Sequence, residues 1–132
     1  MRIEVLRPED PRIWEFILKF KERTKYDRGG HVWWIYKTLL SRPDAVHMAV
    51  VDKDGSTRGF YSLVAEGKDE ALLLVALSDG SLAEQAKVVK SFLRMVGIKK
   101  CYTHVWGPYK RALAVERLLG AKVVAHLIEV EV

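Results

Sequence analysis

Seven consecutive residues, Ala71-Leu72-Leu73-Leu74-Val75-Ala76-Leu77, carry no polar side chain, and turn signals bound them: Glu66-Gly67-Lys68-Asp69 before and Ser78-Asp79-Gly80-Ser81 after. A run this short and this aliphatic reads as a strand covered on both faces, which an isolated surface hairpin cannot provide. The chain must therefore build layers around it. With 132 residues, 49% of them hydrophobic, it has material for one domain and one core, and a single domain over residues 1–132 is expected.

On either side of that run the hydrophobic period alternates between strand and helix. Ile3 to Leu6 ends at Arg7-Pro8-Glu9-Asp10-Pro11, where two prolines and two acids close a strand and open a helix. Ile13, Trp14, Phe16, Ile17 and Phe20 then recur at helical intervals, with Arg12, Glu15, Lys19 and Glu22 elsewhere. Thr24 to Gly30 reads as a loop, His31 to Leu40 as a second helix, and Ser41-Arg42-Pro43-Asp44 as its stop. Ala45 to Val51 and Arg58 to Ala65 read as two strands joined by the hairpin turn Asp52-Lys53-Asp54-Gly55. After the aliphatic run, a long helix carries Leu82, Ala86, Val89, Leu93 and Val96 on one stripe and stops at Gly97. Cys101 to Trp106 is a further strand, broken by Gly107-Pro108. Tyr109 to Leu119 is a helix stopped by Gly120, and Lys122 to Val132 a closing strand.

The expected order is β-α-α-β-β-β-α-β-α-β, an α/β class with a mixed sheet and helices on both faces. Tight hairpins make the middle strands antiparallel. A helical crossover makes the strand at Ala71 to Leu77 run parallel to that at Cys101 to Val105.

Composition narrows the function. Cys101 is the only cysteine, so no intrachain disulfide, thiolate zinc cage or iron–sulfur site can be assembled from this chain alone. His31, His47, His104 and His126 never stand at His-x-x-x-His spacing, and no metal is expected. No Gly-x-Ser-x-Gly occurs, and Cys101 has no evident activating partner. The N-terminus lacks a signal-peptide apolar run, no stretch of about 18 apolar residues occurs, and a cytoplasmic protein off the membrane is expected. A net charge of +5 mildly favours polyanionic partners such as coenzyme phosphates. Nucleic-acid binding would rest on that charge alone and should weaken steeply with salt.

The succession from Ile3-Glu4-Val5-Leu6-Arg7-Pro8-Glu9-Asp10 to the closing segment resembles the GNAT-fold N-acetyltransferases over essentially the whole chain. Local matches are Val96-Gly97-Ile98-Lys99-Lys100 before a strand, and Ala112 with Leu119-Gly120-Ala121-Lys122, which look like that family's helix–strand junctions. The second half also looks similar to short, divergent GNAT-like proteins of tailed bacteriophages, and a phage source would place the protein in host cytoplasm or virion. The resemblance implies a cleft where two parallel strands splay, holding acetyl-CoA while an amine attacks its thioester directly. It implies coenzyme contacts from the main chain of Leu74, Val75 and Leu77 and from Asp79, Gly80 and Ser81. Open α/β sheets collect ligands at the same place, beyond the C-terminal strand ends, and the helix opening near Ser81 aims its free amides and dipole there.

Two departures set a rival reading beside this one. Where family members usually show Gln or Arg followed by Gly-x-Gly or Gly-x-Ala, this chain has Ser78-Asp79-Gly80-Ser81-Leu82, with one glycine. Ser81-Leu82-Ala83-Glu84 moreover fits a capping box whose side chains would occupy the helix-end donors, and Asp79 adds a second carboxylate against a pyrophosphate. The tyrosine that protonates the leaving thiolate in many relatives falls at Glu116, which would need a pKa raised by burial, and the asparagine often found at that helix start falls at Tyr109. The alternative is thus a non-catalytic GNAT-fold module, for protein interaction or phage structure, that has lost its coenzyme. Candidate bases are His104, His47, and Glu66 acting through a water. The Tyr26 to His31 loop with Trp33 and Trp34 is the candidate wall for an acceptor amine or a protein partner, since adjacent tryptophans on a helix cannot both face the core.

Overall fold

Asp10 starts the first helix in the way its sequence position suggests. Its carboxylate accepts the Arg12 N–H at 3.0 Å, and Pro11 fills the first helical position, where a missing N–H costs nothing. The Arg12 guanidinium then forks onto Asp10 (3.1 and 3.0 Å) and Glu4 (2.6 Å), tying the helix to the first strand and holding both carboxyls below their ordinary pKa values.

The computed structural model describes residues 1–23, 37, 41–79, 81–103, 109–122, 124–125 and 130–132. Among them the elements are β1 (Arg2–Leu6), α1 (Pro11–Arg23), β2 (Val46–Val51), β3 (Thr57–Ala65), β4 (Glu70–Ser78), α2 (Leu82–Met95), β5 (Lys100–Thr103) and α3 (Tyr109–Leu119). The sheet order is β1-β2-β3-β4-β5, antiparallel throughout except for the last pair, where β4 and β5 run parallel as the crossover requires. The turns sit on glycines with positive φ: Gly55 (88°) in the β2–β3 hairpin, Gly97 (89°) after α2 and Gly120 (63°) after α3.

Each sheet face has its own core. On one face Ile13, Phe16 and Ile17 of α1 pack on Ala49, Val51, Phe60, Val75 and Leu77; on the other, Val89 and Leu93 of α2 pack on Met48, Val50, Tyr61 and Leu73. Alternation along β2 explains the split, since successive side chains point to opposite faces. In β4 the alternation breaks. Leu73 opposes Leu63 on the α2 face, yet Val75, two residues on, opposes Ser62 on the α1 face. Leu74 is the extra residue of a β-bulge, and it reverses the parity of everything after it. A second bulge lies in β3, where Val50 opposes Gly59 and Val51 opposes Thr57, leaving Arg58 as the extra residue.

Five expectations need correction or restriction. β4 is not covered evenly: Ala71, Leu73, Val75 and Leu77 are buried, Leu72 and Leu74 half-buried and Ala76 exposed, because the bulge rather than two full layers sets which side chains go inward. Val96 is not on the α2 stripe but caps the helix, 53% exposed, since the helix ends at Met95. The strand at Cys101 is described as Lys100–Thr103, and the rest of its expected course, His104 to Trp106, lies outside the described residues. The described residues of the expected closing strand, Lys122, Val124, Ala125 and Val130 to Val132, lie in no strand: β-branched residues suit a pleated surface, but a strand also needs an edge that supplies its hydrogen bonds. The expected helix over His31 to Leu40 lies outside the described residues apart from Lys37, which is helical.

Candidate active site

The described β4–β5 ladder is parallel. It runs from Glu70–Lys100 to Leu73–Thr103, while β4 continues to Ser78 with β3 still paired on its other side. A bulge bends its strand and increases its twist, and the Leu74 bulge places that bend one residue beyond the Leu73–Thr103 pair. Leu74, Val75 and Leu77, the residues expected to contact the coenzyme, follow that pair on β4.

At the far end of β4 the chain enters α2 through Asp79 and Ser81; Gly80, between them, lies outside the described residues. The capping box expected at Ser81 and Glu84 is absent. Ser81 makes no side-chain cap hydrogen bond; its hydroxyl instead donates to Asp79 Oδ1 (3.3 Å) and accepts from Gln85 Nε2 (3.1 Å). The hydroxyl is engaged by a buried amide and a carboxylate in place of the helix amides it was expected to cap, the local competition that Ser side chains commonly enter. Asp79 does not stand as a bare negative charge either. Its carboxylate takes Arg58 Nε at 2.6 Å, and Arg58 also reaches Asp52 at 3.0 Å, which raises the guanidinium pKa, chiefly through Asp79. Both electrostatic objections to an anion at this helix start are accordingly weakened.

Sequence reasoning missed Arg58, Gly59, Tyr61 and Gln85, which hold this corner together. Gln85 is fully buried, with its Nε2 donating to the Arg58 carbonyl (2.7 Å) and its Oε1 accepting from the Tyr61 hydroxyl (2.6 Å). Two signals were available: a glycine inside a strand, which marks a bulge or close approach, and a glutamine four residues before Val89 on the apolar stripe.

On the α1 side of the sheet, by alternation from Phe60, an open cavity of about 360 Å³ is lined by Glu66, Glu70, Leu72 and Tyr102. Leu72 and Tyr102 are direct partners across the β4–β5 ladder, so the cavity lies close to the Leu74 bulge. Glu66 N–H donates to the Glu70 carbonyl at 2.9 Å, closing the β3–β4 turn and setting the two acids side by side. A cationic group would find two carboxylates and an aromatic ring there.

The other candidates fall elsewhere. His47 is a core residue, 1% exposed, its ring stacked on Phe60 at 6.2 Å and its Nδ1 sharing a 2.7 Å hydrogen bond with buried Ser62. No incoming amine can reach it, which removes His47 as a base. Its Nε2 has no hydrogen-bond partner among the described residues, and burial lowers its pKa below the ordinary 6.5. The folded state therefore favours the neutral ring. Stability is expected to be unaffected by this group above pH 6.5 and to fall as pH drops through that value, because the unfolded chain then takes up a proton the folded one refuses. Urea titrations between pH 5 and 7.5 should show this slope, and His47→Phe should flatten it. An unchanged slope in the variant would reject the assignment.

Glu116 is half-buried on α3, and its carbonyl accepts the Ala121 N–H at 3.1 Å. That helix packs along α2, with Lys90 Nζ donating to the Leu119 carbonyl at 2.7 Å. His104, Tyr26, His31, Trp33 and Trp34 lie outside the described residues. No group of three or more His, Cys, Asp or Glu among the described residues is placed to hold a metal ion, and no described helix is long and apolar enough to cross a membrane.

Comparison with known proteins places the architecture. No family model matches the sequence, and no curated protein matches it. Solved structures do. The chain is similar to the YycN protein of Bacillus subtilis (12% identity, 98% of each chain, TM-score 0.69). It is similar to an aminoglycoside acetyltransferase from an uncultured soil metagenomic sample, solved with sisomicin (13% identity, 99% of this chain and 94% of that one, TM-score 0.62). It is also similar to AAC(6')-Iy bound to the bisubstrate analogue CoA-S-monomethyl-acetylneamine (11% identity, 99% and 98%, TM-score 0.58). The fold is that of the GNAT-type N-acetyltransferases, a mixed α+β sheet with helices on both faces.

Proposed function

We propose that this protein is an acetyl-CoA-dependent N-acetyltransferase that acetylates an amine by direct attack. The observation that carries the reading is the parallel β4–β5 pair with the Leu74 bulge one residue beyond its Leu73–Thr103 step, a bend that would splay β4 from its neighbour and open a wedge there. Strand amides and carbonyls freed by such a splay would suit an extended, amide-bearing ligand arm. The start of α2 near Asp79, Gly80 and Ser81 suits the ligand's phosphates, because the Ser81 hydroxyl is engaged elsewhere and Asp79 is paired with Arg58. Bound in this cleft, acetyl-CoA supplies the activated acyl group.

The chain's own residues do the rest. The cavity at Glu66, Glu70, Leu72 and Tyr102 receives the acceptor, its two acids attracting the ammonium form beside the wedge. Glu66, alone or through a water, takes the ammonium proton, leaving the nitrogen lone pair free to form the new C–N bond as the C–S bond breaks. His104 is the second candidate for that proton, and Glu116 the candidate for returning one to the thiolate. The Tyr26 to His31 segment with Trp33 and Trp34 supplies acceptor contacts. One observation favours the rival reading of a coenzyme-free interaction module: Glu116 stands where many relatives have a tyrosine.

Acetyl-CoA at about 100 times its dissociation constant should stabilise the fold by roughly 2.7 kcal/mol, readable as a thermal shift. No shift at millimolar coenzyme would overturn the enzyme reading. A shift with CoA but no turnover on any amine would favour the module.

A further inference from the structure

We infer that Gln85 is a positioning residue, a buried latch that fixes how the end of β4 enters α2. It rests on the coenzyme reading only for its consequence in binding; the latch itself is a matter of geometry.

The Arg58 carbonyl accepts twice, from the Asp79 N–H at 3.0 Å and from Gln85 Nε2 at 2.7 Å. A carbonyl can only accept, so the amide nitrogen must face it, and Oε1 is thereby turned to the Tyr61 hydroxyl. The same Nε2 reaches Ser81 Oγ at 3.1 Å and Asp79 Oδ1 at 3.3 Å. One side chain therefore touches β3 at Arg58 and Tyr61 and the residues on both sides of Gly80. The Gln85 N–H closes the circle by donating to the Ser81 carbonyl at 3.0 Å.

Room for the amide is provided by Gly59. A Cβ built there would overlap Gln85 Oε1 and stand 2.8 Å from Tyr61 Cε2, so any side chain at 59 would displace the amide. Helix packing alone explains none of this, since leucine would fill the same stripe position without needing four polar partners. What the amide adds is a fixed direction for the first turn of α2, and with it the aim of the helix-start amides into the wedge.

The experiment compares wild type with Gln85→Leu, Gly59→Ala and a control, Val89→Ala, which truncates a buried side chain on the same helix but leaves the latch intact. Amide hydrogen exchange is read at Asp79 and Gln85, whose N–H groups donate to Arg58 and Ser81. Both latch variants should speed exchange at these two sites about tenfold or more relative to the control, matched for global stability, as loss of a buried hydrogen bond implies. Acetyl-CoA binding should weaken about tenfold or more in the same two variants, with kcat at saturation little changed. Exchange no faster than in the control overturns the latch, whatever the coenzyme does. Faster exchange with unchanged acetyl-CoA affinity overturns the positioning role. If wild type binds no acetyl-CoA, the proposed function falls and the positioning role with it, while exchange still decides the latch.

Discussion

Deleting Leu74 should leave the sheet folded and raise the acetyl-CoA dissociation constant by about a hundredfold or more, the factor that about 2.7 kcal/mol of lost binding represents. The expectation follows from register. Ser62 opposes Val75 and Leu63 opposes Leu73, so without Leu74 the two strands would pair regularly, Val75 and Leu77 keeping their places in the α1-side core and Leu73 its place under α2. What disappears is the bend. Without that bend the proposed splay of β4 from its parallel neighbour would close, and with it the opening that admits a ligand. The half-buried leucine removed costs about 1–2 kcal/mol of packing, which a urea titration with unchanged m-value should register as a modest fall in midpoint. Calorimetric titration then reads the coenzyme. A deletion variant that is folded and binds like wild type would show that the bulge does not make the wedge.

The largest expected loss of stability comes from Phe60→Ala. Phe60 lies on the central strand, 1% exposed, opposite Ala49 and Leu77, in the cluster that α1 covers, and its ring stacks on His47. Removing it leaves a cavity that neighbours on three strands and a helix cannot jointly fill, at a cost of about 3–5 kcal/mol. Against a total of about 5–15 kcal/mol for a domain, that moves the urea midpoint far down and leaves the variant marginal at 37 °C. A loss under about 1 kcal/mol would mean that the α1 face is not packed as described.

Elements with a strong local period were readable from the chain. Ile13, Phe16 and Ile17 announced α1, and Ala71 to Leu77 announced β4 together with the direction of its neighbour. The bulge was hidden in that same run, because seven aliphatic residues look alike whether or not one is extra; only the partner strand shows that Leu74 is unpaired. Asp79 and Ser81 were placed correctly near the start of α2 but misjudged in chemistry. Ser-x-x-Glu describes a cap when nothing else competes, and here Gln85 and Arg58, distant in sequence or hidden on a stripe, redirect both side chains. Tertiary polar contacts of this kind leave little trace in periodicity. His47 illustrates the converse. Its residue type suggested acid–base chemistry, and its neighbours in space made it part of the packing.

The overlap between a Cβ at position 59 and the amide at position 85 also orders the routes by which this sequence can drift. A lineage that first gains alanine at Gly59 meets a steric barrier, whereas one that first shortens Gln85 opens the space and can then accept alanine. The two positions, 26 apart in sequence, should therefore change in a preferred historical order, with Gln85 going first.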